Sequence, residues 1–348
     1  MMPEEWPIAA PAADGDTPAR LLGRGRLATV RRDFFLDPAK RLTEQERALM
    51  TAMLNCLVGD VAAALRAALP SGRLAANDEG DAVLMTALTG AGLLDEPGLM
   101  AVLLRRADEE RISTAARARS GRREARVLQG LVSHDYGAVA AAAMALILAR
   151  GRRRDRFGQC LIAFDDLSVG SAEALVHAVA AGLRREFAGG RSGPLADREL
   201  AEASEKILGD RDEERGVDAL TAALVHFLDE GGGLTDELIL AAANEGEVAF
   251  VAEVLARRAG ISTDSALDEL LSGNATHVMA LLRMAGMSRA LGAGLLAGIG
   301  DLLGIADAGE AIGQFDRMSD EDADAARSWL LTAPAYRLAL ERLGQGRG

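Results

Sequence analysis

Residues 131–150 read LVSHDYGAVAAAAMALILAR. An apolar helix end leads into a turn holding an Asp, and a second helix follows, opened by a β-branched residue among small ones. The same order occurs 27 positions earlier in LRRADEERISTAARA, beginning at Leu104, so that Leu104 aligns with Leu131, Ile112 with Val139 and Ala116 with Ala143. LVGDVAAALRAAL, from Leu57, is a shorter form. Small residues at these positions let neighbouring helix axes approach, as stacked helix pairs require.

The rest of the chain keeps the helical period. Leu49, Met53, Cys56 and Leu57 follow a capping-box pattern at Thr43 and Glu46. Alternating Val/Ile/Thr runs are missing, there is no Asn-Gly, and the one Asp-Gly lies near the N-terminus. The expected fold is all-α: stacked antiparallel helix pairs, a HEAT-like α-solenoid in the N-terminal half and a further helical unit after it. AGGRSGPLADRE, from Ala188, is the most loop-like internal stretch and ends a run from Gly98 to Gly193 without proline. The expected division is a disordered tail over 1–16, an N-terminal helical-repeat domain over 17–187, a linker over 188–194 and a C-terminal helical domain over 195–346. Thr235 and Ser319, each followed by acids, are expected to start helices, Ser319 the last one. Asp135 is expected to cap the helix after its turn.

Composition narrows the function. The chain has 348 residues, 49% of them apolar, enough to bury a large core without staples. Cys56 and Cys160 form no Cys-x-x-Cys, which fits a reducing compartment. The first sixteen residues carry four acids and no base, unlike a signal peptide, and the longest uncharged run, Tyr136 to Ala149, is shorter than a bilayer span. A cytoplasmic protein with no membrane partner is expected. The net charge of −13 argues against nucleic acid. Between Arg105 and Arg156, however, thirteen Arg face six acids.

Chemical motifs are few. His134, His177, His226 and His277 are never three or four apart, so no helix face presents two imidazoles to a metal. His134-Asp135 is compatible with a phosphoaccepting histidine, or with a turn. LGAGLLAGIGDLLG follows no strand and is expected to serve close helix packing rather than a dinucleotide. Lys40 and Lys206, the only lysines, follow no Gly-rich loop, and no Gly-x-Ser-x-Gly occurs. Arg156 is placed to lower the pKa of Cys160, although a small core hydrophobe is the simpler role for that thiol. No catalytic residue, cofactor or metal is expected. The one dense cluster is GRRRDRFGQCLIAFDDL, residues 151–167. Arg152, Arg153, Arg154, Arg156, Asp165 and Asp166 form the candidate interaction surface.

This cluster also carries a resemblance. Arg152-Arg153-Arg154-Asp155-Arg156-Phe157, then Asp165-Asp166-Leu167, then Val179 to Leu183-Arg184 follow the order seen in the bacterial domain of unknown function 2336. LTEQERALMTAML, GGLTDELILAAANEGEVAFVAEVLARRAGI and AARSWLLTAPAYRLAL are similar to its other segments. Ser168 stands where that family usually has Pro, Gly170 loosens the helix start, and His177 stands where rings are common. The resemblance implies a helical-repeat fold in a bacterial cytoplasm and supplies no catalytic residues. It also implies that Phe157 anchors the loop in the core and that Asp165 or Asp166 sits at the N-terminus of the following helix. The expected function is a non-enzymatic protein-interaction or regulatory module whose partner is another protein, with self-association open. The alternatives are a signalling-relay component using His134 and an enzyme of unrecognised type.

Overall fold

The structure, a computed structural model, describes residues 42–70, 80–121, 126–186 and 193–343. The expected tail over 1–16 and most of the expected linker over 188–194 lie outside the described residues. Residues Met1–Arg47 and Ala48–Gly348 form separate units. In the first, Thr43 and Glu46 make the reciprocal capping box read from the sequence, with Thr43 N donating to Glu46 Oε2 at 2.8 Å and Glu46 N to Thr43 Oγ1 at 3.2 Å.

The fold is all-α. Helices α1 (Glu44–Ala68), α2 (Gly80–Gly90), α3 (Pro97–Ser120), α4 (Arg126–Leu131) and α5 (Gly137–Arg152) precede the loop that contains the arginine cluster. After it come α6 (Val169–Leu183), α7 (Pro194–Gly209), α8 (Val217–Glu230), α9 (Asp236–Asn244) and α10 (Val248–Ala259). The chain continues through α11 (Thr263–Leu270), α12 (Ala275–Met284), α13 (Arg289–Leu295), α14 (Ala308–Arg317), α15 (Asp320–Leu330) and α16 (Pro334–Arg342). Among the described residues there is no strand, only an isolated bridge between Arg154 and Cys160.

Local chemistry explains most boundaries. Thr235 caps α9 by accepting from Leu238 N at 3.3 Å, as its position before two acids suggests. Ser319 caps α15 with a full capping box, but α16 follows, so Ser319 does not start the last helix. Asp135 makes no cap either: Tyr136 is the N-cap of α5 and has no side-chain capping bond. The apolar helix α1 is, by length and composition, long enough to cross a bilayer, a point hidden by its single mid-helix charge, Asp60. Its buried side chains Met50, Met53, Leu57, Val61 and Leu65 recur on one face at helical spacing, the pattern of a packed helix.

One apolar core runs from Ile112 in α3 to Leu330 in α15 and takes side chains from both sides of residue 190. Helix α5 packs along α8 through Val139, Ala142, Ala143, Leu146 and Ala149, small enough for close approach. Truncating the fully buried Leu146 to Ala would cost about 2–5 kcal/mol. The aligned positions Ile112 and Val139, and Ala116 and Ala143, are all buried, whereas Leu104 is exposed where Leu131 is buried. The glycines near residue 294 serve packing: a Cβ on Gly294 would lie 2.8 Å from Leu240 Cδ2 of α9. The short π-helical turn Leu296–Gly300 follows directly after α13.

Candidate functional site

The arginine cluster begins where α5 ends. Arg154 pairs across an antiparallel bridge with Cys160, and Leu161 N donates to Arg153 O at 2.8 Å, so the intervening residues form a closed turn. Asp155 organises it. Its Oδ1 accepts from Phe157 N and Gln159 N, both at 2.8 Å, its own N–H donates to Gln159 O, and its carbonyl accepts from Gly158 N. Gly158 has a φ of 81°, which favours glycine there, and its carbonyl accepts from Arg154 Nη1 at 2.7 Å.

Phe157 stands at the tip of this turn, 75% exposed, with the Arg156 guanidinium 4.7 Å from its ring centroid. The expectation that Phe157 anchors the loop is therefore overturned. The bonds that close the turn are made by backbone groups and by the Asp155 and Arg154 side chains, and none of them uses the ring. Ile162 and Leu167, each 2% exposed, are the anchors. Arg152 is also exposed and makes no ion pair among the described residues. It lies one turn beyond Leu148 and two beyond Met144 on the outer face of α5, and both of these are exposed.

Arg153 and Asp166 face the other way. Arg153 Nε and Nη2 donate to Asp166 Oδ2 and Oδ1 at 2.6 and 2.8 Å, and the carboxylate also accepts from Ala163 N and Val217 N, both at 2.9 Å. The Asp166 side chain is fully buried. These two residues leave the expected interaction surface, because the carboxylate is buried and all three guanidinium nitrogens are engaged inside the protein. Asp166 serves the first turn of α8, not of the helix that follows it in sequence. Asp165 accepts from Asp212 N at 3.1 Å. The helix that follows, α6, is capped by Ser168, the residue that departs from the family pattern, through a 3.2 Å bond from Ser171 N.

Arg154 turns toward a cavity of about 320 Å³. Its wall takes Arg106, Glu109, Glu110, Ser113 and Arg117 from α3, spaced so that they share one face, Ile147 and Arg150 from α5, and Gly246 to Ala249 from the turn before α10. That turn approaches α3 closely: Gly246 has a φ of 73°, and a Cβ there would lie 2.6 Å from Ser113 Cα. The segments GRRRDRF and NEGEVAF, far apart in sequence, meet on this wall.

The carboxylates of the wall are each paired with an arginine, although Glu109 Oε1 is buried without a hydrogen bond of its own among the described residues. Arg154 donates to both oxygens of Glu110 at 3.1 and 2.8 Å, and Arg150 pairs with Glu247. Arg106 bonds Glu109 and Asp218, each at 2.7 Å. Burial acts to lower the Arg106 pKa, but Glu109, Asp218 and Asp166 outweigh it and hold the cation well above its ordinary range. Burial acts to raise Asp218, yet Arg106 and Arg105 bring it below the usual carboxylate range. Burial and Glu110 push the Cys160 thiol up to about 11, against the pull of Arg154 and Arg106. The expectation that Arg156 lowers this pKa fails, because Arg156 points outward over Phe157.

Arg106, Arg117, Arg150, Glu110 and Glu247 were not singled out from the sequence, where alternating charges on a helix read as a solvated face. His134 is half-buried, and its Nδ1 accepts from Tyr136 N at 3.1 Å. No group of three His, Cys, Asp or Glu placed to hold a metal occurs among the described residues.

No curated protein and no solved structure matches the chain significantly. The profile of the family described as an uncharacterised protein conserved in bacteria, domain of unknown function 2336, matches residues 93–328, which include the arginine cluster, the cavity wall and the core helices. On that match, and on the segments that meet at the cavity, the chain belongs to the domain of unknown function 2336 family.

Proposed function

We propose that the chain is a non-enzymatic protein-docking module, built on a scaffold of stacked helix pairs and working in the bacterial cytoplasm, with the Phe157 turn as its docking element. The observation that carries this reading is a large aromatic side chain that is 75% exposed on a turn closed by backbone and Asp155 hydrogen bonds. A held aromatic beside an arginine is the usual make-up of an interface hot spot, and holding it in advance reduces the ordering cost of binding. Arg152 and Arg156 flank it without a carboxylate partner among the described residues, and Met144 and Leu148 extend the apolar face of α5 toward it. The partner this surface fits is a protein with an apolar pocket rimmed by acidic residues.

The test is affinity capture from the native host with wild-type, Phe157→Ala and Arg156→Glu proteins, each checked for unchanged helical circular dichroism. A partner held by wild type, lost by both variants and weakened as salt rises supports the reading, because exposed charges are screened over about 10 Å at 0.1 M. The same proteins captured by all three forms would reject it. Sedimentation of the purified chain tells a second copy from a different partner.

A further inference from the structure

We propose that the cavity behind the arginine cluster binds a small molecule carrying a compact oxyanion, a phosphate or a carboxylate group. The inference is independent of the docking reading, since none of Phe157, Arg152, Arg156, Met144 and Leu148 lines the cavity.

Both oxygens of Glu110 are taken by Arg154, Glu247 is paired with Arg150, and Glu109 Oε2 accepts from Arg106. The carboxylates on the wall therefore have their cations. The guanidiniums are more numerous. All three nitrogens of Arg153 are engaged, by Asp166, Ala149 O and Arg215 O, but the other four guanidiniums, Arg106 with only Nη1 and Nη2 in use among them, keep donors that make no hydrogen bond among the described residues. Arg150 uses Nη1 alone, Arg117 uses Nε and Nη2, and Arg154 uses Nη1 and Nη2. Apart from Glu109 Oε1, which is buried without a hydrogen bond and faces Arg105 Nε at 3.9 Å, the spare capacity of the wall's charged side chains lies in guanidinium N–H groups, and five arginines face three glutamates in a chain whose net charge is −13.

Planar guanidinium forks match phosphate and carboxylate oxygens, singly or bidentately, and such charge-assisted bonds are about twice as strong as neutral ones. A cation would find one unbonded carboxylate oxygen, Glu109 Oε1, among five guanidiniums, and a wholly apolar ligand would strand the spare donors. The volume decides size. About 320 Å³ equals the liquid volume of roughly ten waters, the lower end of ligand pockets, so a headgroup with a short body fits and a polymer does not. Leu128, Ile147 and Val248 give the body an apolar wall. Cys160, its thiol pushed up to about 11, adds no negative charge to the cavity at neutral pH.

The experiment is calorimetric melting of the full chain with inorganic phosphate, adenosine monophosphate or citrate, each against sodium chloride of equal ionic strength. The expected result is a rise in Tm of about 2 °C or more with at least one probe. Arg117→Gln and Arg150→Gln should lose the rise, and Arg152→Gln, outside the cavity, should keep it. If Arg150→Gln does not fold, because it strands Glu247, then Arg117→Gln decides, since its present bonds are local to α3. A rise with both phosphate probes and none with citrate assigns a phosphoryl ligand, and the reverse assigns a carboxylate. No rise over chloride with any probe, or an undiminished rise in Arg117→Gln, overturns the proposal.

Discussion

Replacing Asp166 by Ala tests the central joint of the fold. The carboxylate accepts four hydrogen bonds: two from Arg153 and one each from Ala163 N and Val217 N. With its side chain fully buried, the substitution leaves a guanidinium that is only 11% exposed without its anion and two backbone donors without acceptors. Removing one partner of a buried ion pair costs about 3–5 kcal/mol, and each orphaned donor about 1–3 kcal/mol, though these overlap once water enters. A loss of about 4 kcal/mol is the expected net. For a unit of about 300 residues, with an unfolding entropy near 2.1 cal/mol/K per residue, that corresponds to a fall in Tm of about 6 °C. Arg153→Met alone should cost a similar amount, and the double variant less than the sum, since the pair is then removed together. Scanning calorimetry of the four proteins reads all of this. A fall under about 2 °C for Asp166→Ala, or strict additivity in the double variant, would show that the joint is held elsewhere.

The remaining predictions follow from single features. Phe157→Ala should change unfolding free energy by no more than about 0.5 kcal/mol in a urea titration, whereas a buried ring would cost several times that. Gly246→Ala should cost about 2–4 kcal/mol by the same titration, since the new methyl group meets the Ser113 backbone at a positive φ. In a Cys56→Ser background, alkylation of Cys160 at pH 8 should be about a hundredfold slower than for a thiol of ordinary pKa 9, with the rate rising until about pH 11. The same thiol binds its proton more tightly when folded, so its contribution to stability is complete below pH 9 and is lost as pH climbs toward 11. Asp218 has the opposite sign: its folded pKa lies below 3.8, so its contribution is present above that value and disappears as pH falls through the folded pKa. In acid melts, Asp218→Asn should be less pH-dependent there than wild type.

How legible these features were depends on whether the deciding interaction was local. Helix content, the Thr43 capping box and the Thr235 start follow from neighbours within a few residues, and each was readable; the packing use of Gly294 was readable only as a lack of dinucleotide context, since its contact, Leu240, is remote in sequence. Phe157 was not. An aromatic after an arginine run suggests a core anchor, and the bonds that close its turn come from the backbone and from the Asp155 and Arg154 side chains, which any side chain at position 157 would allow. Asp166 was half readable, as a helix-start acid, but its helix begins fifty-one residues later at Val217. The cavity was the least visible feature, because an arginine on a helix is solvated or paired according to which carboxylate the fold brings to it. Glu110 belongs to α3 and Glu247 to the turn before α10, and no spacing in the sequence links either to Arg154 or Arg150.

The loop over 151–167 carries a surface, at Arg152, Arg156 and Phe157, and an interior, at Arg153 and Asp166, and Arg154 ties the two together. Its guanidinium holds Glu110 on the cavity wall and the Gly158 carbonyl in the Phe157 turn with the same Nη1. Replacing Arg154 with Lys keeps one positive charge but cannot reproduce two donors to Glu110 together with one to Gly158. The turn would keep its Asp155 bonds and lose its tie to the scaffold, so Phe157 would be presented over a wider range of orientations. The expected outcome is a modest loss of stability, about 1–2 kcal/mol for a half-exposed charge-assisted network, together with weaker capture of any partner that depends on Phe157. Hydrogen exchange at the Phe157 and Gln159 amides reports the loosening directly. Protection equal to wild type, alongside weakened capture, would move the effect of Arg154 from the turn to the charge itself.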